Sequence, residues 1–216
     1  MSLFPMFLKL AGRPCLVVGA GSVGTSKIEG LLAAGATVRL VAPEATPEVE
    51  EWSRAGRVSW QARGFESHDL EGAFLAIVAT PSRELNARVF EEASRRGVLC
   101  NVVDDPPHCD FYYPAVVRRG NLQIAVSTGG RSPALAARLR RDLEQQFGPE
   151  YDAWVEELGR EREQLLGGAP VVNGARPEPS GSSPLELKER RELLHSMASR
   201  EAFREFVGRK MKSEVK

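Results

Sequence analysis

The sequence predicts an α/β fold in three parts: a Rossmann-type parallel-sheet domain, a small α+β dimerisation domain, and a C-terminal helical region. Three observations predict it. Apolar, β-rich runs alternate with helical patterns as far as Val103, and the runs are nearly uninterrupted, as in a parallel sheet covered on both faces. The glycine run "GAGSVG" lies directly between the first such strand and the first helix. After Pro114 the alternation stops, and a hairpin pattern followed by helices takes its place.

The elements follow in order. "PCLVV", Pro14 to Val18, is the first strand, and an amphipathic helix runs from Ser22 to Ala34 and ends at Gly35. "TVRLVA", Thr37 to Ala42, is the second strand. Thr46-Pro47 is an N-cap with proline at the first helical position, and Gly56 closes that helix. "VSWQAR" from Val58 and "FLAIVAT", Phe74 to Thr80, are the third and fourth strands. Ser82 caps a helix that runs to Arg96, and "VLCNVV", Val98 to Val103, is the fifth strand. Then "AVVRR", the turn "GN" and "LQIAVS" predict an antiparallel hairpin, and Ser132-Pro133 starts a helix with Leu135, Leu139, Leu143 and Phe147 at every fourth position. A hairpin and one helix are marginal alone, so their apolar faces need a cover, and a second copy of the chain supplies one. A helix follows from Tyr151 to Leu166. The Gly/Pro/Ser-rich stretch near 167–184 is a linker, and Ser183-Pro184 with Glu186 is a capping box opening one last helix towards Met211. The predicted domains are residues 1–113, 114–148 and 149–216.

Bulk composition narrows the function classes. Acidic and basic residues balance at 29 each, which argues against nucleic acid or an anionic membrane as partner. No apolar run approaches the ~18 residues of a membrane span. The opening residues lead into a strand without a basic n-region, unlike a signal peptide. Cys15, Cys100 and Cys109 have no CxxC spacing, which fits core thiols in a reducing cytoplasm better than a disulfide framework or a zinc site.

Gly19, Gly21 and Gly24 form a G-x-G-x-x-G pattern in its strand–helix context. The first glycine permits a tight turn, the second lets a pyrophosphate approach the backbone, and the third lets helix and strand pack closely. The N–H groups of Ser22 and Val23 then face the anion at the helix N-terminus. Glu44, about 20 residues further on, stands where an acid takes the adenosine ribose hydroxyls, which favours NAD over NADP. Arg39 would weaken that preference if it reached the ribose edge. Thr80 begins the next loop expected to line the cofactor crevice.

Beyond the fifth strand stand Asp104 and Asp105, at the edge where open parallel sheets bind ligands. Asp104 reads two ways: as a general base beside a nicotinamide, or as a turn residue before Pro106-Pro107. The adjacent His108 and Cys109 lack partners at metal-ligand spacing. "STGGRSP" places Ser127, Thr128, Gly129 and Arg131 between a strand and a helix start, with Arg118, Arg119, Arg138, Arg140 and Arg141 nearby in sequence. This is either an anion site for a substrate rich in carboxylates or a capped helix with a solvated arginine face.

"FPMFLKLAGRPCLVVGAGSVGTSKIEGLLAAGATVRLVAP", "NVVDD…FYYPA" and "LQIAVSTGGRSPALAARLR" together resemble the precorrin-2 dehydrogenase family of sirohaem biosynthesis, over residues 1 to about 147. The resemblance implies oxidation of precorrin-2, a polycarboxylate tetrapyrrole, to sirohydrochlorin with NAD⁺, with insertion of ferrous iron in some members. It also implies a homodimer that exchanges the region after the NAD domain. By residue, it implies pyrophosphate contacts at Ser22 and Val23, the adenosine end at Pro43 and Glu44 after the second strand, and Asp104 as the acid of dehydrogenation and, where present, chelation. Thr128 stands where some relatives carry a phosphorylatable serine. Two rival functions remain at this stage. One is a chelatase in which Asp104 and His108 shuttle protons, and the other is a non-enzymatic NAD-binding regulatory module, which has no need of the "STGGRSP" loop.

Overall fold

Alternate side chains along each strand point to opposite faces of a five-stranded parallel sheet, and both faces are covered. The computed structural model describes residues 3–165 and 184–214. It divides into two compact units, Met1–Tyr113 and Pro114–Lys216.

In the first unit the strands are β1 (Pro14–Ala20), β2 (Thr37–Ala45), β3 (Val58–Gln61), β4 (Leu75–Val78) and β5 (Leu99–Val102), in the spatial order β3-β2-β1-β4-β5. The helices between them are α1 (Ser22–Ala33), α2 (Pro47–Arg54) and α3 (Arg83–Arg95). Cys15 and Val17 of β1, Val38 and Leu40 of β2, and Leu75 and Ile77 of β4 meet Ile28 and Leu31 of α1 and Val49 of α2 on one face. Leu16, Val18, Val41, Ala76 and Val78 meet Val89 and Ala93 of α3 on the other. Full burial of each large aliphatic side chain contributes about 1.5–3 kcal/mol, so the two clusters hold the sheet. They also deliver the ends of β1, β4 and β5 to one edge.

The structure corrects the predicted elements in several places. β2 does not stop at Ala42. It continues through Pro43 and Glu44, because a register shift between Val18 and Ala20 lets Ala20 pair with Ala45. Pro43 and Glu44 are therefore strand residues beside the glycine turn, not a loop after the strand. Thr46 precedes α2 as expected, but its side chain does not cap the helix; its hydroxyl lies 2.9 Å from that of Thr25. Ser82 does cap α3, accepting from the Leu85 N–H at 3.2 Å.

The second unit holds the antiparallel hairpin β6 (Ala115–Arg119) and β7 (Leu122–Val126), then α4 (Pro133–Gln146) and α5 (Glu150–Leu165). The single last helix of the sequence reading is two, α6 (Pro184–Met197) and α7 (Arg200–Glu214). Ser199 explains the break: its Oγ accepts from the Ala202 N–H at 3.2 Å, which is N-cap geometry. Phe147, Tyr151, Trp154 and Phe203 stack with ring centroids 4.3–5.6 Å apart and fasten α7 to α5. The linker and the Ser183 capping box lie outside the described residues. No helix among the described residues is long and apolar enough to cross a membrane.

Candidate dinucleotide site

Gly19 sits at φ 98°, and a Cβ there would drive into the Ala79 carbonyl; a Cβ on Gly24 would drive into the Gly19 carbonyl. Both glycines are needed for close backbone packing between β1, α1 and β4. Gly21 is different. A Cβ there would meet nothing within 4 Å, because its face opens on a cleft. Gly21 is also the N-cap of α1, and it offers no side-chain acceptor. Thr25 makes the first intrahelical bond, to the Gly21 carbonyl at 2.9 Å, which leaves the N–H groups of Ser22, Val23 and Gly24 ahead of it without an intrahelical acceptor. Free amides at the positive end of a 12-residue helix, above a residue with no side chain, make a cradle for a phosphate.

The cleft has a volume of about 250 Å³ and is lined by Gly21, Ser22, Val23, Ala79, Thr80, Pro81, Val103 and Asp104. Thr80 contributes a wall with a fixed hydroxyl: its Oγ1 donates to Asn86 Oδ1 at 2.6 Å, and Asn86 Nδ2 donates back to the Thr80 carbonyl at 3.1 Å. Asn86 is buried on α3 and holds the whole Thr80–Ser82 loop in place. Pro43 and Glu44 do not line the cleft. They are exposed at the end of β2, beside β1. Arg39 does not approach that end: its guanidinium donates to the Glu71 carbonyl at 2.7 Å.

Asp104 is exposed at the cleft and is the only non-glycine residue with positive φ among those described, at 59°. The Asp105 N–H donates to the Val102 carbonyl at 3.2 Å, closing a turn with Asp104 in its third position. Aspartate is one of the few side chains that tolerate this conformation, which turns the residue off the end of β5. The following segment folds back along β5. Cys109 bridges Asn101 in antiparallel fashion, the Asp110 carboxylate accepts from the Cys100 N–H at 2.8 Å, and Asn101 Nδ2 donates to the Phe111 carbonyl at 2.7 Å.

After this fold-back His108 and Cys109 each have a local partner. His108 Nδ1 lies 2.8 Å from Asp105 Oδ2, so its partner is Asp105 and not Asp104. The Cys109 thiol donates to the Val102 carbonyl at 3.1 Å, and burial first, then Asp105 and Asp110, push its pKa up against that bond. Among the described residues no cluster of three or more His, Cys, Asp or Glu side chains is placed to hold a metal ion. Cys15 and Cys100 are buried in the core and pushed up by burial to about 11 and about 12, so both remain thiols at neutral pH.

One cation escaped the sequence reading. Lys27 is half-buried on α1, with Nζ 3.8 Å from the centroid of the Tyr113 ring. Burial pushes its pKa down, and the charge of Asp104 partly offsets that shift. Burial pushes the Tyr113 hydroxyl up, with a further contribution from Cys15, although 48% of the residue's surface is exposed.

In the second unit, the Ser127–Pro133 loop turns through Gly129 at φ 61° and Gly130 at φ 78°. Ser127 Oγ accepts from the Gly129 N–H at 3.2 Å, Thr128 Oγ1 accepts from the Ser132 N–H at 3.0 Å, and Ser132 Oγ caps α4 through the Leu135 N–H at 3.3 Å. Arg131 is exposed beside them. Several nearby arginines have local partners. Arg119 donates to the Phe147 and Glu144 carbonyls, Arg140 pairs with Glu144, and Arg138 pairs with Asp142 at 3.7 Å.

Comparison with known proteins adds the context. The family described as "Putative NAD(P)-binding" matches residues 6–115, and the one described as "Sirohaem biosynthesis protein central" matches residues 119–146. "Siroheme synthase 1" of Pectobacterium atrosepticum is 42% identical over 97% of the chain and 39% of its own length. "Siroheme synthase 1" of Serratia proteamaculans is 42% identical over 76% of the chain and 35% of its own length. The chain thus spans between a third and two-fifths of the length of these curated relatives. Among solved structures, "SirC, precorrin-2 dehydrogenase" superposes with a TM-score of 0.71 at 27% identity, over 97% of this chain and 100% of that one.

Proposed function

Since the chain belongs to the NAD(P)-binding family that precedes the sirohaem-biosynthesis central segment, we propose that it is an NAD-dependent precorrin-2 dehydrogenase. The observation that carries the reading is the exposed carboxylate of Asp104 in the same cleft as the free first-turn amides of α1. Those amides, with Gly21 beneath them, fit a dinucleotide pyrophosphate, and Glu44 at the end of β2 fits the adenosine ribose. NAD⁺, when bound, supplies the hydride acceptor. The Asp104 carboxylate then takes the proton that the tetrapyrrole loses as it is oxidised, which is general base work. Thr80 and Pro81, braced by Asn86, wall the cleft and narrow the poses open to the ring system. In the second unit Ser127, Thr128, Gly129 and Arg131 are the proposed contacts for the substrate's carboxylates.

The deciding assay mixes the purified protein with precorrin-2 and NAD⁺ and follows NADH absorbance. Steady NADH formation supports the reading. Dinucleotide binding without turnover would leave a regulatory module instead. Ferrous iron added afterwards reports insertion separately, as a further absorbance change.

Glu44→Ala should lower NAD⁺ affinity by about tenfold, the worth of hydrogen bonds to one carboxylate, and should narrow the gap between NAD⁺ and NADP⁺. Titration of both nucleotides measures this, and an unchanged affinity ratio would place the ribose elsewhere.

The protein is also proposed to act as a homodimer through the second unit. On α4, Leu135 and Leu139 leave 42% and 36% of their surface exposed, whereas Ala136 is buried. Leu139→Glu should weaken self-association roughly 100-fold, as for a charge placed in an apolar interface core. Sedimentation equilibrium reads this directly, and an unshifted dimer would move the interface away from α4.

A further inference from the structure

Lys27 is four residues beyond Val23 on α1, and residues at that spacing share a helix face. Val23 lines the cleft; Lys27 is outside that lining but on the same face of α1, one turn, about 5.4 Å, past the amides proposed for the pyrophosphate. Its ammonium rests against the Tyr113 ring at 3.8 Å. Among the described residues it has no carboxylate within the 4.0 Å of an ion pair and no hydrogen-bond acceptor. Three N–H donors on a half-buried cation are therefore unspent, an arrangement that costs solvation and is repaid when an anion arrives. Asp104 is near enough for its charge to act on Lys27, but the two are not ion-paired. The ring face holds the ammonium from one side by a cation–π contact, and the N–H donors on its other side stay available.

We propose that Lys27 anchors one carboxylate of the macrocyclic substrate and so sets the reacting carbon against Asp104, an assignment that rests on the function proposed above. The position argues for substrate over dinucleotide. The pyrophosphate's cradle is the first turn of α1, and Lys27 stands a turn beyond it on the side of Asp104. Its role is binding and placement, with no proton taken or given.

The test uses Lys27→Gln and Lys27→Arg in the full chain, with the wild type run first. No NADH from precorrin-2 in the wild type would end the functional reading itself. With turnover established, Lys27→Gln should raise KM for precorrin-2 about tenfold while kcat stays within about twofold and NAD⁺ affinity is unchanged; Lys27→Arg should recover most of the KM. Uroporphyrin, a polycarboxylate porphyrin, gives a readout independent of activity: by fluorescence quenching it should bind Lys27→Gln about tenfold more weakly than wild type. Equal uroporphyrin affinities with an unchanged KM would overturn the assignment. A loss confined to NAD⁺ binding would transfer Lys27 to the dinucleotide, and a loss confined to kcat would make it a partner of Asp104, and either would overturn it too.

Discussion

Asp104→Asn should lower NADH formation from precorrin-2 by about 10²–10⁴-fold while leaving NAD⁺ affinity and thermal stability near wild type. The choice of asparagine follows from the backbone. At φ 59° Asp104 occupies a conformation that asparagine tolerates and alanine does not; an alanine there would add roughly 1–2 kcal/mol of strain and confuse chemistry with folding. The neutral amide also keeps the size and the turn, so the change removes only the capacity to take a proton. Single-turnover absorbance with saturating NAD⁺ measures the rate, and nucleotide titration supplies the control. Full turnover in this variant would remove Asp104 from the chemistry and return it to the turn-forming role that its φ also explains.

The second large effect separates the two kinds of glycine in the motif. Gly24→Ala should destabilise the first unit by about 3 kcal/mol or more, because its Cβ would overlap the Gly19 carbonyl, which is backbone and has no rotamer to yield. Gly21→Ala should leave the melting temperature nearly unchanged and instead weaken NAD⁺ binding, since its methyl would project into open space where the pyrophosphate approaches. Thermal denaturation and nucleotide titration on the pair give opposite patterns. If Gly24→Ala folded normally, the packing of α1 on β1 would have to be looser than this geometry allows. If Gly21→Ala bound NAD⁺ normally, the phosphate would not pass over that residue.

The local spacing of Gly19, Gly21 and Gly24 already contained this division of labour, as did the serine–proline start of α4 and the Ser82 cap of α3. Each depends on neighbours close in sequence, and the parallel sheet followed from strands too apolar to face water on either side. What escaped notice depends on distant partners. Nothing in "TSKIEG" distinguishes Lys27 from a solvated lysine until the turn after β5 brings Asp104 and Tyr113 beside it. Asn86 looks like an ordinary polar helix residue until Thr80, from another loop, needs both ends of its amide. The extension of β2 through Pro43 depends on a register shift in β1, and no run of apolar letters records that. The break at Ser199 lay in an otherwise unbroken helical pattern, where a serine is as ordinary inside a helix as at its start. The partner of His108 is near in sequence, but it is Asp105, and which of two adjacent acids a ring nitrogen reaches is set by the turn geometry and not by spacing.

The return of the chain along β5 has one more effect. β5 is the last strand on its side of the sheet, and such a strand ordinarily offers a bare row of amides and carbonyls on which a foreign chain can grow. Here Cys109 and Asp110 already occupy part of that row, with the Asp110 carboxylate taking the Cys100 N–H and the Asp110 N–H taken by the Cys100 carbonyl. The segment that follows Asp104 thus also guards the sheet against fibril-like stacking. Sequence change after Asp104 is therefore constrained by solubility as well as by the turn it must make.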